Sequence, residues 1–135
     1  MSEIPNFRNS LEQERRNPFL ESLEKYGAKV ENDQMENSYI IQFAFKECVI
    51  TLRIILKDYD GSNLVITNIT ALPEDYGYRR KVLQNILVLA KENGLTKIKA
   101  VQVQKASEEF WIRNSFVKDQ EPNECNDYIY QGMKK

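Results

Sequence analysis

The chain has 135 residues, 41% hydrophobic and 29% charged, with 19 Lys and Arg against 20 Asp and Glu for a net charge of −1. That length and balance suit one globular domain over 1–135 rather than a disordered chain. The lack of a basic excess argues against nucleic-acid binding, and no apolar run approaches the roughly 18 residues that cross a bilayer.

Met1-Ser2-Glu3-Ile4-Pro5 lacks the basic-then-apolar order of a signal peptide, so the expectation is a cytoplasmic protein without a membrane role. Its two cysteines, Cys48 and Cys125, then read as free thiols, with Cys48 packed in a strand. With no histidine in the chain, histidine bases, triads and His-ligated metal sites are excluded, and no metal is expected. A sequence pI near 5.6 points toward a cationic or amine ligand.

In chain order, residues 1–8 read as loosely held. Ser10 with Gln13 fits a capping box, starting a helix near Leu11. Asn17-Pro18 starts a second helix, with Phe19, Leu20, Leu23 and Tyr26 as its apolar face and Gly27 as its stop. A short strand is predicted over 28–31. Tyr39 to Lys46 alternates as a strand, Lys46-Glu47 turns, and Val49 to Leu56 is rich in β-branched residues. Asp60-Gly61 is a hairpin signal leading into a strand over 64–72, so 38–72 reads as a three-stranded antiparallel meander. An apolar helix over 82–92 is closed by Asn93-Gly94. A strand over 97–103, a helix over about 106–114 and a last strand over 127–131 complete an α+β chain with a mixed sheet.

The strand ending at Pro73 runs into Glu74-Asp75-Tyr76-Gly77-Tyr78-Arg79-Arg80-Lys81 and then a helix. Backbone N–H groups and the positive end of the macrodipole at such a helix start suit an anion. Three cations there oppose the dipole by about 0.3–1 kcal/mol each, a penalty that an anionic ligand reverses. The plain alternative is a solvated basic turn neutralised in part by Glu74 and Asp75. Further on come Gln104, Ala106, Phe110-Trp111, Arg113 and Ser115-Phe116, then Tyr128-Ile129-Tyr130.

These features together resemble the GCN5-related N-acetyltransferase (GNAT) superfamily over 63–131, and over 10–62 by element order. The phosphate turn of that family has the form Arg/Gln-x-x-Gly-x-Gly/Ala. Gly77 falls on its first glycine, Glu74 replaces the basic or amide residue, and Arg79 replaces the second small residue. In the later motif Gln104 stands for Asn, Trp111 for Tyr and Ser115 for Gly. The helical opening of the chain stands where the family has its first strand.

The resemblance implies a mixed, mostly antiparallel sheet with helices on both faces and strands 64–72 and 97–103 splayed. It implies acetyl-CoA as cosubstrate, held by the backbone of Ile69, Thr70 and Ala71, by Gly77, Tyr78, Arg79, Arg80 and Lys81, and by Gln104 and Trp111. The activity implied is transfer of an acetyl group to an amine of a small molecule or a protein. The family's base positions hold Thr67 and Asn68 and its acid position holds Trp111, none suited to proton transfer. Glu74 or Asp75 as base, and Tyr76, Tyr78, Tyr128 or Tyr130 as acid, are substitutes; Glu74, Tyr76 and Tyr128 lead them. Aminolysis can also run on positioning. The rival reading is a non-catalytic GNAT-fold protein that has lost its cofactor and acts through protein contacts, a homodimer included. A third is an unrelated α+β binding domain, in which strands 64–72 and 97–103 would be paired rather than splayed.

Overall fold

The computed structural model describes residues 17–57, 62–73, 76–120 and 124–132, with the side chain of Tyr76 left aside. The expected capping box at Ser10, the Asp60-Gly61 turn, and Glu74 and Asp75 lie outside them. Helix α1, Pro18–Lys25, starts as predicted: the Asn17 side chain accepts the Phe19 N–H at 2.7 Å and Pro18 sits in the first turn. Phe19, Leu20 and Leu23 are buried, and Gly27 leaves the helix at φ 100°.

Strands β1 (Lys29–Asn32), β2 (Ser38–Ala44), β3 (Val49–Leu56) and β4 (Leu64–Leu72) form an antiparallel series. Alternation gives them one buried face, carrying Ile41, Phe43, Ile50, Leu52, Ile54 and Ile66, while Gln42 and Arg53 on the other face are exposed.

Helix α2 runs Tyr76–Glu92, six residues earlier than the predicted start at 82. Gly and Tyr are weak helix formers, so the first turn depends on tertiary contacts. The Tyr78 ring lies 4.5 Å from that of Phe45, and its hydroxyl donates to Glu47 Oε1 at 2.7 Å. Val82, Leu83, Ile86 and Ala90 lay the helix on the buried face of the sheet. Asn93 Nδ2 donates to Ser22 Oγ at 3.2 Å, joining α2 to α1. Gly94, at φ 78°, ends it, with the Leu95 N–H returning to Ala90 O at 2.9 Å.

Strand β5 is Ile98–Ala100, parallel to β4, and much shorter than the predicted 97–103. A 3-10 turn (Lys105–Ser107) leads into helix α3 (Glu108–Arg113). Strand β6 (Phe116–Lys118) was not expected from the sequence, where three residues give no readable alternation. Strand β7 (Tyr128–Tyr130) is trimmed from the predicted 127–131 and inserts between β5 and β6.

The result is an open seven-stranded mixed sheet, ordered β1-β2-β3-β4-β5-β7-β6, with only β4–β5 parallel. One hydrophobic core joins α1, α2, Trp111, Phe116 and Tyr128 to that sheet. Among the described residues no helix is long and apolar enough to cross a membrane.

Candidate functional site: a cleft where two parallel strands part

Strands β4 and β5 pair at Leu64–Ile98, Val65–Lys99 and Ile66–Ala100, and the Val101 N–H makes a further bond to Ile66 O at 3.0 Å. Beyond that point they separate. Two local causes act on the two strands. In β4, Arg53 faces Asn68 while Ile54 faces Ile66, so Thr67 is one residue too many for its partner. Its hydroxyl donates to Arg53 O at 3.2 Å. A bulge of this kind bends its strand and sharpens the twist.

On the other side, Gln102 turns to φ 54°, and its N–H goes to Asp127 Oδ1 at 3.0 Å. Val103 exchanges bonds with Asn126, giving its N–H to Asn126 O at 3.1 Å and accepting Asn126 Nδ2 at 2.7 Å. Residues 102–103 are therefore bonded to the segment before β7, and β4 keeps an edge without a strand beside it.

That edge has a definite pattern. Ile66 O points to β5, and the bulge at Thr67 adds one residue without a turn to the far side. The main-chain groups of Ile69 and Ala71 then face away from β3, toward the gap. The gap is a cavity of about 660 Å³ that receives Thr67, Ile69, Thr70 and Arg53 from the β4 side, Gln102 and Gln104 from the other, and Arg79 and Trp111 from the helices. It passes through the sheet. Arg79 and Trp111 belong to the helix face, whereas Arg53, between buried Leu52 and Ile54, points to the opposite face, where its guanidinium reaches over β2 to Asp33 (3.1 Å) and its carbonyl faces Thr67.

Arg79 is 6% exposed, and its guanidinium carbon lies 4.6 Å from the centre of the Phe110 ring. Such a stack contributes about 0.5–2 kcal/mol. Trp111, at 4% exposure, packs edge-on to Phe110 (5.4 Å) and Phe116 (4.9 Å) and forms an apolar wall of the cleft. A neighbouring cavity of about 510 Å³ meets the cleft at Ala106 and contains Arg80, Arg113 and Glu109. The N–H groups of Tyr76, Gly77 and Tyr78 open α2 and have no carbonyl one turn earlier within it.

Of the residues singled out in the sequence, Ile69, Thr70, Arg79, Gln104 and Trp111 surround this one cleft. Arg80 lies next door, Lys81 and Gly77 are exposed in the first turns of α2, and Ala71 is buried in β4. Tyr78 is turned to Glu47 and Phe45. Tyr128 sits in the core beside Glu108, 3% exposed and away from the cleft lining.

Burial holds the Tyr128 phenol above its ordinary pKa, and the Glu108 carboxylate that accepts its hydrogen bond adds to the shift. Glu108 is held below the ordinary carboxylate value. The hydrogen bond from Asn126 Nδ2, 2.9 Å away, is the largest cause, partial burial opposes it, and Tyr128 reinforces it. Sequence reasoning missed Arg53 and Gln102. For Arg53 a signal existed: one cation at an outward position in the strand Val49–Leu56.

Among the described residues that line the cleft there is no carboxylate, lysine, thiol or phenol. Their chemistry is the Arg79 guanidinium, neutral amides and hydroxyls, an indole and an open strand edge. Such a surface can pair with an extended amide-bearing ligand and hold negative charge. Compared with protein-family models, with curated proteins and with solved structures, the chain matches none of them.

Proposed function

We propose that the cleft holds acetyl-CoA and that the protein transfers its acetyl group to an amine, as the resemblance to the GNAT superfamily implies. The observation that carries this reading is the parting of β4 from β5 after Ile66 and Ala100. It leaves the main-chain groups of Ile69 and Ala71 available to the two amides of a pantetheine arm. The start of α2 is then the place for the pyrophosphate, with the N–H groups of Tyr76, Gly77 and Tyr78 and the cations Arg79 and Arg80 around it. Catalysis in this reading rests on positioning the thioester and the amine in a confined space, a source worth up to about 7–11 kcal/mol of barrier.

Calorimetric titration with acetyl-CoA, with free coenzyme A as comparison, tests it. Micromolar binding is expected, together with its loss in a folded Gly77→Pro variant. Proline there removes one N–H from the first helical turn, where its ring is tolerated. Unchanged affinity in that variant would remove the helix start from the site.

One observation favours a second reading, a non-catalytic protein of the same fold acting through protein contacts. No described group on the cleft is suited to proton transfer, and the Arg79 side chain lies over Phe110 between α2 and α3. That reading expects no coenzyme binding and a stable protein partner in gel filtration or pull-down.

A further inference from the structure

Two residues on the far wall of the cleft hold a left-handed backbone, Gln102 at φ 54° and Asn126 at φ 59°. They stand on the two sides of one hydrogen-bonded clasp, in which residues 102–103 meet 126–127. Backbone strain of this kind persists only where the surroundings hold it, and it gathers at ligand clamps. At Gln102 the holder is Asp127, whose Oδ1 accepts the Gln102 N–H at 3.0 Å. We infer that Asp127 is a positioning residue for the cosubstrate: it keeps the segment after β5 away from the free edge of β4, and so keeps the cleft open. This inference rests on the acetyltransferase reading above.

The Asp127 carboxylate is held from two sides. Its Oδ2 lies 3.6 Å from Lys99 Nζ, in a pair whose side chains are 17% and 12% exposed. Lys99 sits in β5 one residue before the strand ends, opposite Val65 of β4 and Ile129 of β7. The carboxylate is therefore fixed to the paired part of β5 and grips the part that has left the sheet. Neither Lys99 nor Asp127 is among the described residues that line the cavity, whereas Val101, Gln102, Val103 and Gln104 are. Whatever Asp127 does to a ligand passes through Gln102.

The edge of β4 beyond Ile66 keeps main-chain groups turned to the gap, and unpaired groups of this kind attract any chain within reach. The segment 102–104 lines the other side of the same gap. Released from Asp127, it leans on that edge, and a ligand must displace it. The apparent affinity then falls in proportion to the fraction of molecules left open.

The test uses the full chain, calorimetric titration with acetyl-CoA, amide hydrogen exchange followed by NMR, and urea unfolding of each variant. Asp127→Ala removes both contacts of the carboxylate. Asp127→Asn keeps an oxygen for the Gln102 N–H and gives up the charge. Lys99→Met gives up the charge pair and leaves the carboxylate in place. In Asp127→Ala the Gln102 amide should exchange about tenfold faster and acetyl-CoA should bind about tenfold more weakly. Asp127→Asn and Lys99→Met should stay near the wild-type values in both measurements, whatever stability they lose. In the wild type, saturating acetyl-CoA should slow exchange at Gln102, because ligand and clasp favour the same open state. This last arm needs no variant and decides the matter if Asp127→Ala does not fold.

A wild-type protein that binds acetyl-CoA with no change in Gln102 exchange overturns the inference and leaves cosubstrate binding standing. So does an Asp127→Ala variant that binds as the wild type does, or a Lys99→Met variant that loses as much affinity as Asp127→Ala, since the effect would then be general destabilisation. If the folded wild type binds no acetyl-CoA, the underlying reading fails and this inference falls with it.

Discussion

The guanidinium carbon of Arg79 lies 4.6 Å from the centre of the Phe110 ring, and this contact ties the start of α2 to α3 at the edge of the cleft. Arg79 occupies the position where the resemblance to acetyltransferases expects a small residue, and the protein folds the long side chain inward to 6% exposure. The stem packs and the charged plane stacks, so the side chain has two roles open to it. It can receive a phosphate, or it can stand in the path of one.

Arg79→Ala should lower folding stability by about 1–2 kcal/mol, from the lost stack and the lost packing of its stem. If Arg79 also receives a phosphate, acetyl-CoA affinity should fall about tenfold in the same variant. Urea unfolding and calorimetry on one preparation separate the two effects. A gain in affinity would show that the side chain obstructs the cradle.

The wall of the cleft opposite β4 depends on Asn126. Its amide nitrogen donates to Val103 O at 2.7 Å and to Glu108 Oε2 at 2.9 Å, from a backbone held at φ 59°. Asn126→Ala should cost about 2–3 kcal/mol, combining the lost hydrogen bonds with a left-handed conformation that alanine disfavours. Asn126→Gly relieves the backbone and should cost less. Equal losses in the two variants, by chemical denaturation, would show that the hydrogen bonds carry the whole effect.

Glu108 and Tyr128 predict opposite limbs of the stability–pH curve. The folded protein depresses the Glu108 pKa, so its contribution is present above the unfolded value of about 4.3 and is lost as pH falls through the lower folded value. It raises the Tyr128 pKa, so that contribution is present below about 10 and is lost as pH rises through the folded value. Urea midpoints taken across both ranges should show Glu108→Gln flattening the acid limb and Tyr128→Phe flattening the alkaline one.

Ser115 stands where the acetyltransferase motif that the segment resembles has glycine, and its backbone has the conformation glycine prefers, φ 73°. It follows α3, its N–H returning to Ile112 O at 3.2 Å while Gln131 donates to its carbonyl at 2.8 Å. A left-handed residue costs about 1–2 kcal/mol outside glycine, and glycine loses about 0.5–1 kcal/mol more in backbone entropy. Ser115→Gly should therefore stabilise the protein by about 0.5 kcal/mol. A lower thermal midpoint in that variant would mean that the serine hydroxyl makes a compensating interaction.

Much of the architecture was readable along the chain because its causes are local. Asn17-Pro18 and Gly27 mark the limits of α1, alternation in Val49–Leu56 names the buried face of β3, and Gly94 closes α2. These features depend on a few neighbouring residues and survive without knowledge of what packs against them. The cleft has a different origin. The bulge at Thr67 exists only relative to Arg53 and Ile54 across the sheet, and β5 stops at Ala100 because residues 102–103 bond to Asn126 and Asp127, more than twenty positions later. The early start of α2 needs Phe45 and Glu47 from the β2–β3 turn and Phe110 from α3. Ile69, Arg79 and Gln104 share one cavity although they come from separate elements. Local sequence sets propensity and alternation, whereas the charge and shape of a cleft are sums over residues distant in the chain, and only packing brings those residues together.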